Sequence, residues 1–225
     1  MGRRPAPAPL AAAVRLSVGL ALTATRLSIF PLTGAILFPG LQLPLHIFEP
    51  RYRALVGDAL ARDRRIAMIQ PQETREGSPL FEVGCVGKIE DVETTEDGRY
   101  NIILGGEARF RLLRELEVTT PFRQVEGELL PNLGDETLSL GERASFEAEA
   151  RRFADMQGYA IDWDSVARLD DTSLINGVSQ IAPFDAASKQ ALLEAPDLAT
   201  RCELLVQLME FFGRGDPDEG RVTLQ

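Results

Sequence analysis

The chain has one histidine, His46, and two cysteines, Cys85 and Cys202, in 225 residues. That scarcity removes whole classes of chemistry. Neither cysteine has a second cysteine or a histidine close by, so a zinc site of the usual paired-ligand spacing is excluded. The two thiols are expected as small buried hydrophobes, bridged only if the fold brings them together. A Ser-His-Asp hydrolase would have to recruit His46, yet there is no Gly-x-Ser-x-Gly elbow to present a serine. His46 reads instead as a packed strand residue whose ring nitrogen bonds to backbone. Gly84 to Lys88 lacks the spacer and the Ser or Thr of a phosphate loop. Ser188 and Lys189 are adjacent, so on a helix their side chains diverge by about 100° and form no dyad. No metal or other cofactor is expected, and the chain reads as a non-enzyme.

Basic charge is also in short supply, with 24 Lys and Arg against 34 Asp and Glu and a formal net charge of −10. Arg3, Arg4, Arg15 and Arg26 fall in the first 26 residues, which hold no acid, so the body is more acidic still. Such a surface repels phosphate backbones and argues against a general nucleic-acid role. Long apolar runs are missing too: Leu16 to Ala24 falls far short of the roughly 20 residues a membrane span needs. Residues 1–26 therefore read as a leader or disordered extension, with an export signal as the alternative. The expected location is the cytoplasm, or outside it if that signal is genuine.

What is present is patterned. In residues 30–53, FPLTGAILFPGLQLPLHIFEPRYR, four prolines forbid helix interior and cut the segment into strands at 27–32 and 41–48 around the turn Phe38-Pro39-Gly40. Pro50 suits the first position of a helix, with Tyr52, Leu55, Val56 and Ala59 at helical spacing. Residues 65–71 follow as a buried strand and 72–79 as a polar loop. A strand over 81–93 is expected to bulge near Gly84 and Gly87. Asp97-Gly98 supplies a hairpin turn into Tyr100–Leu104, after which Gly105-Gly106 permits a sharp redirection into 108–113. Residues 121–130 complete the strands, antiparallel to the one before.

From about Gly134 the composition turns helical, which places a boundary at 131–136. Ser139 and Glu142 form a capping box for a helix carrying Phe146, Ala150 and Phe153, which Gly158 can end. Asp164, then Asp171 or Thr172, then Asp185 and Asp197 are expected as successive N-caps, with Pro183 as a stop. The last helix bears Leu198, Cys202, Leu205, Met209 and Phe212 on a wide stripe, as burial in a bundle requires.

The run Leu32, Phe38-Pro39-Gly40, Pro44 to Glu49 and Arg51-Tyr52 resembles the start of the Lon-protease N-terminal (substrate-binding) domain. Gly84 to Ile89, Asp97 to Tyr100, Gly105 to Phe110 and the segment 183–201 extend the resemblance to the stand-alone proteins of that family, over roughly 27–212. It implies an α+β fold: a β-rich N-terminal lobe of PUA-like pseudo-barrel form over 27–133, then a helical bundle over 134–212 and a flexible tail at 213–225. It also implies a protein- or peptide-binding module, an adaptor or regulator of proteolysis without the ATPase and protease engines. Its partners would be unfolded or degron-bearing protein segments, and a protease or chaperone. The PUA likeness leaves RNA binding as the alternative. Contact candidates are Phe38, Leu41, Phe48, Glu49, Arg51, Tyr52 and Arg109, each of which also reads as core or as bracing for the strand-to-helix corner. A groove between the lobes, or an unpaired strand edge, is the expected place for a peptide.

Overall fold

The computed structural model describes residues 24–213 apart from 76, 132, 134 and 135. Most of the expected leader, the tail from 214 onward and part of the expected boundary lie outside the described residues. Six strands come first: β1 (Ala24–Pro31), β2 (Gln42–Ile47), β3 (Arg65–Ile69), β4 (Val83–Thr94), β5 (Tyr100–Leu116) and β6 (Gln124–Leu129), with helix α1 (Pro50–Leu60) between β2 and β3. Five helices follow: α2 (Leu140–Gln157), α3 (Trp163–Val166), α4 (Asp171–Ile181), α5 (Ala186–Glu194) and α6 (Leu198–Gly213).

The strand order is β2-β5-β4-β3-β1-β6, and a further pairing of β5 with β6 closes it. Closure depends on the length of β5. One edge of β5 pairs with β4 from Tyr100 to Arg111, so β2 and β6 must share the other edge, β2 along Tyr100–Gly105 and β6 along Phe110–Leu116. Five strands thus form a ring to which β2 is appended. β5 continues as one strand through Gly105-Gly106, with a register shift against β4 between Gly106 and Ala108; Gly106 is needed for close approach. Its N–H donates to Leu41 O at 2.8 Å and its carbonyl accepts from Gly40 N at 2.9 Å, and an added Cβ would overlap Phe38 O. The register shifts between β4 and β5 fall at Val86/Gly87, beside the expected Gly87, and at Ile89/Asp91, while Gly84 keeps its pairing with Phe110. Gly84 instead lets the Met68 carbonyl and the Phe110 ring lie where a side chain would be.

Side chains alternate between two apolar clusters. Leu27 and Ile29 of β1, Ala67 and Ile69 of β3, Val86 of β4, Phe110 of β5 and Val125 of β6 fill the ring, one or two from every strand in it. Phe30, Ile66, Met68, Cys85, Ile89, Ile102 and Leu104 point the other way and lie with Tyr52, Leu55, Val56 and Ala59 of α1. Burial on both faces explains the uninterrupted apolar string of β3. β2, buried on neither face so fully, alternates between exposed and part-buried residues. His46 is accordingly exposed, not packed, and its Nδ1 lies 2.7 Å from the side chain of Asn101 rather than on backbone.

The helices start where short polar side chains can reach their free N–H groups. The Ser139–Glu142 capping box is present and Gly158 closes α2 in the left-handed region (φ 71°). Asp185 accepts from Ser188 N at 2.7 Å and Asp197 from Thr200 N at 2.7 Å. Two caps lie one residue or more earlier than the pattern places them. Asp162, not Asp164, caps α3, because its carboxylate reaches the N–H groups of Asp164 and Ser165. Asp170, not Asp171 or Thr172, caps α4. Asp171 is engaged elsewhere, accepting from Leu138 N at 2.8 Å and from Arg143 at 2.6 Å.

Asp162, Asp170, Asp185 and Asp197 are all held below the ordinary aspartate value by hydrogen bonds from the Ser or Thr each one caps. A carboxylate whose folded pKa is depressed stabilises the fold above its unfolded value, about 3.9, and that stability disappears as pH falls through the lower folded value. The thermal midpoint should therefore fall between about pH 4 and pH 2. In an Asp170→Asn/Asp185→Asn variant, where Asn caps without titrating, the fall should be smaller. An equal fall in both proteins would show that the caps do not set the acid limit.

Candidate functional site

The Phe38-Pro39-Gly40 turn is the plug that joins strands to helices. Phe38 is fully buried and belongs to the apolar cluster of Phe146, Leu174, Ile175, Leu192, Leu205 and Met209. Side-chain amides of α4 bind the backbone around it. Gln180 Oε1 accepts from Phe38 N at 3.1 Å, Gln180 Nε2 donates to Gln42 O at 2.9 Å and Asn176 Nδ2 donates to Pro39 O at 3.0 Å. The guanidinium of Arg201, almost fully buried, lies 5.4 Å from the centre of the Phe38 ring. It donates to Leu192 O at 2.7 Å and to Asn176 Oδ1. Arg109 reaches across from β5 and donates to the carbonyls of Leu193, Ala195 and Pro196, where α5 ends with unsatisfied acceptors and the negative end of its dipole.

Among the described residues neither arginine makes an ion pair; carbonyls bond them, the Glu136 and Asp197 carboxylates add longer-range attraction, and Arg201 Nη2 is buried without a hydrogen-bond partner. Burial lowers the Arg201 pKa to about 9. Cys85 and Cys202 are free and buried, and burial raises their thiols to about 12 and about 11. The junction is filled. Phe38 and Arg109 are thus interior residues that hold the molecule together.

The remaining sequence candidates lie elsewhere. Leu41 is half-buried against the helical cluster. Phe48 is 57% exposed at the end of β2. Glu49 and Arg51 form an ion pair at 2.9 Å, and Arg51 lies 4.6 Å over the ring of Tyr52. Tyr52 is buried beside Phe30 and donates to Pro31 O at 3.3 Å. Arg51 and Tyr52 line a cleft of about 650 Å³ together with Thr33, Ser78, Glu115 and Arg123. Within it Arg123 grips Glu115 with two bonds of 2.7 Å. Among the described residues no group of His, Cys, Asp and Glu is placed to hold a metal, and no helix is long and apolar enough to cross a membrane.

A second concavity, of about 710 Å³, is apolar and lies in the helical half. Phe146 and Phe153 of α2, Trp163 of α3, Val178 and Ile181 of α4 and Met209 of α6 line it. Leu174, Val178 and Ile181 recur at four and three residues along α4, so one stripe runs from core to solvent, and Ile181 ends it 79% exposed. Tyr159, Ile161 and Leu169 stand half-exposed on the rim. Arg151 stacks over Trp163 at 4.3 Å, and Arg143 ties Glu147 to Asp171 with bonds of 2.6 Å. Sequence reasoning missed this groove because an apolar stripe has the same spacing whether or not anything covers it. The one signal was the apolar pair Ile161 and Trp163 around an acidic cap, too apolar for a mere connection.

The free edge of β2 is a poorer platform for a peptide. Gly106 N–H pairs with Leu41 O, so in the antiparallel alternation the backbone groups of Gln42, Pro44 and His46 face outward. Gln42 O is taken by Gln180, and Pro44 has no N–H to offer.

A ring closed by one long shared strand, joined to a helical bundle through a buried turn, defines an α+β protein in which concave surfaces rather than clustered reactive groups are on offer. Residues 26–210 match the family of the ATP-dependent protease La (LON) substrate-binding domain, and the chain belongs to that family. It is 27% identical over 189 residues to Lon protease 2 of Syntrophobacter fumaroxidans, covering 79% of this chain and 23% of that protein. It is 27% identical over 206 residues to Lon protease 1 of Bdellovibrio bacteriovorus, covering 81% and 24%. The chain thus spans about a quarter of the length of the curated relatives it matches. Two solved structures share the fold. The Lon N-terminal domain protein from Xanthomonas campestris has a TM-score of 0.64 at 22% identity over 81% of this chain and 98% of its own. The N-terminal domain of Mycobacterium avium complex Lon protease has a TM-score of 0.65 at 21% identity over 83% and 98%. The family resemblance carried by the proline-rich run and the glycine-bearing strands is borne out.

Phe38→Ala should lower unfolding stability by about 3–5 kcal/mol, the usual loss for a buried aromatic, as read by urea titration. In the same titration both thiols should react with iodoacetamide only as the protein unfolds. A loss under about 1 kcal/mol would mean that the turn is not the plug described.

Proposed function

We propose that the chain is a non-enzymatic protein-binding module, an adaptor or regulator of proteolysis, that takes apolar side chains of unfolded or degron-bearing segments into the groove between α2, α3 and α4. One observation carries this: in a member of a substrate-binding family, an apolar concavity of about 710 Å³ opens to solvent beside the exposed Ile181. Burying one large aliphatic or aromatic side chain there contributes about 1.5–3 kcal/mol, so two or three anchors supply about 3–9 kcal/mol before the cost of association, which makes for weak, multi-anchor binding. Recognition of this kind reads apolar content rather than a fixed motif, as a client-binding module requires. Phe48, with Glu49 and Arg51 beside it, is proposed as a secondary contact at the end of β2. Nothing in the cleft or on the ring favours the RNA reading, and the acidic excess of the body opposes it.

The test is titration of a fluorescent, apolar-rich unfolded peptide with the full chain. Ile181→Asp, at a site too exposed to upset folding, should weaken binding by tenfold or more, while Phe48→Asp should weaken it less. Binding should change little between low and moderate salt. Equal affinity in wild type and the Ile181→Asp variant would overturn the groove as the site, and binding lost with salt and displaced by RNA would favour the alternative.

A further inference from the structure

The chain itself carries a segment whose composition complements the groove. Residues 1–23 hold Leu10, Val14, Leu16, Val18, Leu20 and Leu22, together with Arg3, Arg4 and Arg15, and contain no acidic residue. The helical half has the opposite character: residues 139–213 carry thirteen Asp and Glu against six Lys and Arg. At the groove, Glu147 is matched by Arg143 and Arg151 lies on Trp163, while Asp162 lines it with an exposed carboxylate that also caps α3. A basic segment rich in aliphatic side chains is therefore complementary to this groove in both respects. Reach is no obstacle. An extended stretch joined at Ala24 spans about 75–80 Å for 23 residues, against a diameter of about 45 Å for a compact chain of this size.

We propose that residues 1–23 dock in cis in the groove between α2, α3 and α4, aliphatic side chains on Phe153, Trp163, Val178 and Ile181, and compete there with client segments. This rests on the reading of the groove as the client site and adds its regulation. A tethered segment binds at a high effective concentration, so even weak docking occupies the groove. A client then binds in proportion to the fraction of molecules left open. About 90% occupancy raises the apparent Kd about tenfold.

Trp163, the one tryptophan in the chain, lines the groove and reports on it directly. The experiment compares the full wild-type chain with a Leu16→Asp/Leu20→Asp variant, whose changes lie outside the folded elements described. Acrylamide quenching of Trp163 should rise about twofold in the variant, and the affinity for the apolar-rich peptide about tenfold. Arg15→Glu should give a smaller rise in both. Unchanged quenching and affinity in the double variant, with Ile181→Asp still weakening the peptide, would overturn the leader as occupant and leave the groove reading standing. Increased quenching with no peptide binding by any variant would support leader docking and overturn the client reading instead. Protection of Trp163 that strengthens with protein concentration would overturn docking in cis, since a second copy would then supply the segment.

Discussion

The two halves of this protein meet around a buried turn, with the Phe38 ring at its centre and Ile36 and Val83 in the same helical cluster. Phe38 sits at the tip of a turn that leaves the sheet, enters the helical cluster and lies beneath the guanidinium of Arg201. Everything around it is arranged to keep it there. Gly106 has no side chain, so the turn can pair with the middle of β5; Asn176 and Gln180 satisfy the backbone groups that the turn would otherwise bury unpaired. A buried polar group without a partner costs several times what its hydrogen bond contributes. The amides of α4 are therefore as necessary as the apolar contacts.

The two buried arginines follow the same logic. An isolated cation in an apolar interior is costly, and a carboxylate partner would itself have to be desolvated. Carbonyls at the end of α5 supply most of the direct contacts and come with the helix, while Glu136 and Asp197 add attraction from outside ion-pair distance. Arg109 thereby fastens the ring to α5 while Arg201 fastens α6 to the turn. Phe38, Arg109 and Arg201 are all buried at this junction.

Surfaces away from the junction differ in what they leave unmet. In the cleft Arg51 pairs with Glu49 and Arg123 with Glu115, and on the β2 edge one of the outward acceptors, Gln42 O, is taken by Gln180 and one donor is removed by Pro44. Both are partly satisfied by the protein itself. The groove beside Ile181 is not, because its apolar lining continues into solvent with no side chain of the described residues across it. An uncovered apolar surface of this kind marks an interaction site more often than a defect.

The sequence by itself determined the local structure: strands between prolines, the helix opened by Pro50, the capping box at Ser139, and the family. These depend on neighbours a few residues apart, where φ restriction and N–H satisfaction operate. It misplaced the caps of α3 and α4 because several acidic residues stand in a row there and only geometry selects which carboxylate reaches back to the helix. Tertiary structure alone decided the rest. Ring closure requires β5 to divide one edge between β2 and β6, which no local pattern encodes. Phe38 and Arg109 went inside while Phe48 stayed out, because burial depends on which elements are brought opposite. The groove was invisible for the same reason: Leu174, Val178 and Ile181 share one helical stripe, and only packing determines where its cover ends.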